Sequence, residues 1–283
     1  MAAFLSLEDA IATHVKPGMC VALEGFTHLI PFAAGHEIIR QGITGLHLMR
    51  MTPDLLYDQM IGMGVADTLT FSWGGNPGVG SLHRLRDAVE KGWPNKLVLN
   101  EHSHGEMSVA YSAGAAGLPH GLMKGHSDTD LRPLQTGRTA EVECVFTGAP
   151  LTAVRAVNPD VTILHAQKAD RAGNVLLEGI TGAARDAAFA AKAVIVTVEE
   201  IVDDLGAPMN AVVLPRFVVT AIAEVPGGAY PSYTHGYYGR DNSFYIAWDE
   251  VARDRDRFRD WMDRHVVKAA SHGAHLEALG VLA

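Results

Sequence analysis

Apolar residues recur along the chain in two alternating rhythms, and the alternation outlines a fold. Leu7, Ile11 and Val15 fall at helical spacing behind Ser6, whose hydroxyl stands three positions before Asp9 as in a capped helix start, and Pro17-Gly18 ends the run. The apolar run 19–23 then reads as a strand, and Pro31 suits the first turn of a helix that Gly42 or Gly45 closes. The same alternation predicts strands over 46–51, 68–73 and 96–99 and helices over 54–63, 81–91 and 105–116. Further strands are predicted over 161–165, 193–198 and 218–223. A helix opened by Asp241-Asn242-Ser243 carries Phe244, Trp248, Val251, Phe258 and Trp261 on one stripe. Strands alternating with helices imply an α/β fold, a mostly parallel sheet flanked by helices, with ligands at the carboxyl ends of the strands. Positions 120–141 break the rhythm and read as a polar, irregular excursion or flap. With no repeat, low-complexity tract or linker, residues 1–283 are expected to form a single domain that carries this excursion.

Composition changes this picture only by exclusion. Hydrophobic residues are 48% and charged residues 19% of the 283, which suits a folded core rather than disorder. A net charge of −9 argues against nucleic acid or an anionic membrane as partner, while leaving room for a local cationic pocket. Cys20 and Cys144 are too few for a disulfide framework and lack the paired spacing of a structural zinc site, so a reducing compartment is expected. The start Met1-Ala2-Ala3-Phe4-Leu5 lacks the positive region of a signal peptide, and no apolar run approaches the roughly 18 residues of a membrane span. A soluble cytoplasmic protein is the resulting expectation.

Candidate chemistry gathers where predicted strands end. In Val21-Ala22-Leu23-Glu24-Gly25-Phe26-Thr27-His28-Leu29-Ile30-Pro31, Gly25 either presents main-chain N–H groups to an anion or only makes the turn. Glu24 is either a general base or, on the local pattern alone, a strand-end carboxylate in water. Gly74-Gly75-Asn76-Pro77-Gly78-Val79-Gly80-Ser81 is neither a P-loop nor a dinucleotide fingerprint; Gly75, Asn76 and Gly78 either contact a ligand, the reading favoured by the loop's length, or belong to a flexible connector. Asn100-Glu101-His102-Ser103-His104-Gly105-Glu106 offers acid–base groups, with Glu101 and Ser103 on one face and His102 and His104 on the other if the strand continues. His104 beside Gly105 is expected to be open to a pocket and His102 to be a capping or core residue. A metal bound by His102, His104 and His126 lacks a convincing third ligand at a recognised spacing. His126 and Ser127, in the excursion, either line the same cleft or are solvated. Glu199-Glu200 and Asp203-Asp204 read as an acidic surface edge, and the run 253–264 as a solvated, mixed-charge helix face.

Taken in chain order, several segments resemble one family. They are Glu24-Gly25-Phe26, Asn76-Pro77-Gly78-Val79, His104-Gly105-Glu106-Met107, the stretch 113–119, His165-Ala166-Gln167 with 170–174, Val198-Glu199-Glu200-Ile201 and Pro226-Gly227-Gly228-Ala229-Tyr230-Pro231. Together they are similar to the α subunits of the two-subunit CoA-transferases, glutaconate CoA-transferase and its relatives, over nearly the whole chain. The resemblance implies the CoA-transferase type of α/β fold and, as partner, a homologous β subunit. It implies acyl-CoA and a carboxylic or oxo acid as substrates, with coenzyme A as substrate rather than as a permanently bound cofactor. In that family a glutamate attacks the acyl-CoA to give an anhydride and then a glutamyl-CoA thioester. That nucleophile sits in a Ser-Glu-Asn-Gly type motif of the β subunit, and this chain has no such motif. The resemblance therefore implies half an active site here, with Gly25, Phe26 and Thr27 as loop and wall. Two departures stand out. Glu24 occupies the place of the family's first loop glycine, and His104 falls where transferases carry a glutamine that holds the thioester oxygen and ring-opening hydrolases carry a glutamate. Hydrolysis of an acyl-CoA, ring cleavage, and non-catalytic acyl-CoA binding are thus the competing expectations.

Overall fold

The computed structural model describes residues 2–77, 80–125 and 129–281. Ser6 caps α1 (Leu7–His14) by accepting the Asp9 N–H. There follow β2 (Cys20–Leu23), α2 (Phe32–Arg40), β3 (Leu46–Met49), α3 (Leu55–Gly62), β4 (Ala66–Phe71), α4 (His83–Lys91), β5 (Val98–Glu101) and α5 (His104–Ala115), after the short opening strand β1 (Ala3–Phe4). Each predicted element of this half is present, with β4 starting two residues earlier than expected, α4 and β5 two later, and α5 one earlier.

In the second half, β9 (Val161–Asp170), β10 (Val175–Leu177), α6 (Ala184–Ala190), β11 (Ala193–Val202), β12 (Val212–Leu214) and β13 (Ala221–Glu224) complete the large sheet. Among the described residues that sheet has ten strands in the order β1-β13-β11-β9-β2-β3-β4-β5, with β10 and β12 attached antiparallel beside β9. All neighbours along the main path are parallel. The chain builds outward from β2 to β5, then returns to lay β9 on the other side of β2. The β2–β9 boundary is therefore a topological switch point, where the connections leave in opposite directions and open a crevice.

Strand residues alternate between two cores. Val21, Leu23, Leu46 and Leu48 face a core shared with α1 to α4, whereas Cys20, Ala22 and Met49 face Met107 and Tyr111 of α5 and Ala187 of α6. Two predictions need correction. Positions 120–141 are not simply irregular: they hold β6 (His120–Met123), a 3₁₀ turn at Arg132–Gln135 and the start of β7 (Thr139–Glu143), which with β8 (Pro150–Arg155) form a separate antiparallel sheet. Most of its residues are exposed or half-buried, so no hydrophobic alternation announced it. The stripe from Phe244 to Trp261 is carried by two helices, α7 (Asn242–Arg253) and α8 (Arg255–Met262). Asp254 divides them, in extended conformation, by capping the N–H groups of Asp256 and Arg257. No helix among the described residues is long and apolar enough to cross a membrane.

Candidate active site

The loop that leaves β2 lies at the switch point and is held in a costly shape. Thr27 and Leu29 have φ of 63° and 55°, a left-handed conformation that costs a non-glycine residue on the order of 1–3 kcal/mol. Surrounding contacts impose it: the Leu29 N–H donates to the Tyr233 carbonyl (3.0 Å), the Ser232 hydroxyl to the Thr27 carbonyl (3.0 Å), and Arg50 Nη2 to the Gly25 carbonyl (2.8 Å). The curl is tight enough that a Cβ on Gly25 would lie 2.6 Å from the Leu29 carbonyl oxygen. On the opposite wall Gly182 packs on the Phe26 side chain, where a Cβ would come within 2.5 Å.

His104 faces this loop from the first turn of α5. Ser103 and Glu106 form a reciprocal capping box that fixes the helix start: the Glu106 N–H donates to Ser103 Oγ (3.2 Å) and the Ser103 N–H to Glu106 Oε2 (2.7 Å). The exposed His104 ring and Phe26 are common to two adjoining cavities of about 390 and 320 Å³. Ser108, Tyr111, Gly182 and Asp186 line the larger, and Thr27, Thr52, Trp73 and Pro77 the smaller. Here charge developing near the N-terminal turn of a helix would be negative charge met by its dipole. Arg50, at the edge of the smaller cavity, is buried and paired with Asp54 at 2.9 Å.

Glu24 sits behind this wall rather than in it. It is 2% exposed, and its Oε1 accepts the Met51 N–H (2.9 Å) and the Tyr111 hydroxyl (2.8 Å). Burial pushes its carboxyl above the usual range, against the Arg50 charge and the Tyr111 and Met51 hydrogen bonds. The strand-end carboxylate in water expected from the local pattern is thus corrected. Glu24 touches the cavity wall through Tyr111 and Met51, both of which line the larger cavity. Glu199 is corrected likewise: 6% exposed, it accepts from Thr234 Oγ1 (3.0 Å), Tyr238 Oη (2.7 Å) and the Gly227 N–H (2.7 Å), and lies 2.7 Å from His165 Nε2. Burial would raise its carboxyl, but the His165 ring, the Gly227 N–H and the Tyr238 hydroxyl together hold it below the usual range.

The remaining sequence candidates divide. Phe26, Thr27, His104 and Gly105 meet at the cavities. Gly75 does not: it is buried, and its N–H donates to the Pro53 carbonyl. Asn76 donates from Nδ2 to the Tyr245 carbonyl at 2.8 Å, while its buried Oδ1 has no hydrogen-bond partner among the described residues. Glu101 is exposed on the edge strand β5, outside the lining of either cavity. Gly78, His126 and Ser127 lie outside the described residues. The buried His102 has Nδ1 3.6 Å from Glu106, while His104 turns to Ser72, because β5 ends at Glu101 and the strand alternation stops there. Among the described residues no three metal-ligating side chains converge. Sequence reasoning missed Ser72, Trp73, Tyr111 and Asp186. Ser72 and Trp73 follow the end of β4, the kind of position that had already singled out Glu24.

Residues 4–225 match the family model for coenzyme A transferase. The chain is 60% identical over 266 residues to the A subunit of 3-oxoadipate CoA-transferase from Pseudomonas knackmussii, covering 94% of each. It is 32% identical to the A subunit of glutaconate CoA-transferase from Acidaminococcus fermentans, covering 99% of this chain and 92% of the relative. The crystal structure of glutaconate CoA-transferase from that organism superposes with a TM-score of 0.91, at 30% identity over 99% of this chain and 93% of the other. A variant of the decarboxylase AibA/AibB superposes at 0.80, also 30% identical, over 93% of this chain and 99% of that one. The chain belongs to the coenzyme A transferase family.

Proposed function

We propose that this chain is the A subunit of a two-subunit enzyme that moves coenzyme A from an acyl-CoA to a carboxylic acid, with 3-oxoadipate the first acid to try. The observation that carries the reading is the pair of cavities shared by His104 and the strained loop at the switch point, in a chain 60% identical to the A subunit of a 3-oxoadipate CoA-transferase. The carboxylates around the cavities are already engaged. Asp54 pairs with Arg50, Asp186 accepts the Ser112 hydroxyl at 2.6 Å, and Glu24 is buried. That supports a nucleophile supplied from outside this chain, a glutamate of the B subunit. Its carboxylate would attack the thioester carbonyl and expel CoA thiolate. The thiolate would then attack the resulting anhydride at the glutamyl carbonyl, releasing the first acid and leaving glutamyl-CoA for the acceptor acid to take up by the reverse steps.

In this scheme His104 donates to, or protonates, the thioester oxygen, and Phe26 and Thr27 wall the acyl group. Coexpression with the B subunit, followed by assay of CoA transfer to 3-oxoadipate, tests the reading. His104→Ala should lower turnover about a hundredfold, the loss typical of one oxyanion donor, and unchanged turnover would remove that role. One observation favours a second reading, hydrolysis of the acyl-CoA: His104 offers the cavity an imidazole that suits a base. Free CoA without a CoA adduct on the partner's glutamate, read by mass spectrometry, would mark that outcome.

A further inference from the structure

Ser72 stands between the Met51 carbonyl and the His104 ring. Its hydroxyl oxygen lies 2.7 Å from the Met51 carbonyl oxygen and 3.3 Å from His104 Nδ1. A carbonyl only accepts, so at 2.7 Å the one proton of Ser72 is committed to Met51. What remains toward His104 is a lone pair, and a lone pair can be met only by an N–H. The Met51 peptide is itself fixed, since its N–H donates to Glu24 at 2.9 Å and its carbonyl also receives the Ser72 N–H at 3.1 Å and the Trp73 N–H at 3.3 Å, both longer than the Ser72 hydroxyl bond.

We infer that Ser72 is a positioning residue that keeps the proton of neutral His104 on Nδ1, so that Nε2 is the atom that gains and loses a proton in the cavity. Nε2 has no partner among the described residues, and the ring lines both cavities. The inference rests on the reading of these cavities as the active site, and it sharpens the role given to His104. Neutral His104 presents an acceptor to the substrate. It becomes a donor to the thioester oxygen only as imidazolium, after Nε2 takes one proton. The charged groups around the ring are Asp186 beyond the larger cavity and the Arg50–Asp54 pair beside the smaller, with Glu24 behind Tyr111.

The experiment uses the complex of both subunits with ¹⁵N-labelled histidine, and His104→Gln assigns the His104 signals by their disappearance. Long-range proton–nitrogen correlation, recorded above the pH of imidazole titration, should show His104 protonated on Nδ1 in the wild type and in Ser72→Thr, and mixed in Ser72→Ala. A wild-type His104 protonated on Nε2, or a tautomer unmoved by Ser72→Ala, overturns the inference. Turnover gives a second readout. Wild type and Ser72→Thr should lose activity about a hundredfold between neutral and alkaline pH, toward the His104→Ala level. Ser72→Ala should lose several-fold less, because its neutral ring can still donate from Nε2. Identical alkaline limbs in wild type and Ser72→Ala also overturn it. The spectroscopic result does not depend on which reaction is catalysed, so a failed transferase assay with an Nδ1–H ring would sink the proposed function and leave the tautomer standing.

Discussion

Glu24, just past the end of β2, and Glu199, within β11, lie on either side of β9; both are shielded from solvent, at 2% and 6% exposed, and their carboxyls are driven in opposite directions. Glu24 has two donors on one oxygen, and burial wins. Glu199 has hydroxyls on one oxygen, a main-chain N–H on the other and an imidazole beside it, and the donors win. The comparison teaches that a carboxyl in this sheet answers to the balance between how completely it is enclosed and what faces it. Glu24 is enclosed on every side, and burial outweighs the Arg50 charge and its hydrogen bonds; Glu199 is less deeply enclosed, and the His165 ring, the Gly227 N–H and the Tyr238 hydroxyl outweigh burial.

The contrast can be broken in three ways. Glu199→Gln should be the most damaging. It strips the charge from a fully engaged acceptor, and the urea midpoint should report a loss of about 3 kcal/mol near neutral pH. Because the folded carboxyl titrates below its ordinary 4.5, its stabilisation is complete above that value and is lost as pH falls through the folded value. The cost of Glu199→Gln should therefore shrink in acid. Tyr111→Phe removes one of the two donors of Glu24 and should cost about 1.5 kcal/mol by the same measurement. Glu24→Gln should act with the opposite sign. A carboxyl raised above 4.5 in the folded state is a cost when ionised, so its amide should gain up to about 1 kcal/mol near neutral pH, and the gain should vanish as pH falls toward 4.5. Destabilisation by Glu24→Gln near neutral pH would mean that the two carboxyls are alike after all.

The same two residues show what the sequence disclosed and what it withheld. Strands buried on both faces leave continuous apolar runs, which is why β2 to β4 and the starts of β9 and β11 were legible. The expected strands stopped at 165 and 198, while β9 runs to Asp170 and β11 to Val202. His165, Gln167 and Glu199 are buried inside these strands, Gln167 and Glu199 satisfied by partners from 178 and from 227–238 and His165 by Thr197 and Glu199 across the sheet, and such distant partners leave no local pattern. The site divided in the same way. Loop residues at strand ends were found because the rule for parallel sheets points to them. Tyr111 and Asp186 were missed because they reach the cavity from within helices, where an aromatic or an acid reads as ordinary core or surface. The Nδ2 bond of Asn76 to its own chain was not legible, because a polar residue in a glycine-rich loop looks the same whether it holds a ligand or its own chain.

The close approach of Gly182 to Phe26, and of Gly25 to the Leu29 carbonyl, has a consequence for remodelling the protein toward other acids. A saturation library at these two positions would return mostly broken loops, because added bulk meets either an aromatic ring or main chain. Thr52, Trp73 and Ser108 border the same space without such a ceiling, so combinatorial diversity spent there would sample acyl shape instead of testing whether the loop survives.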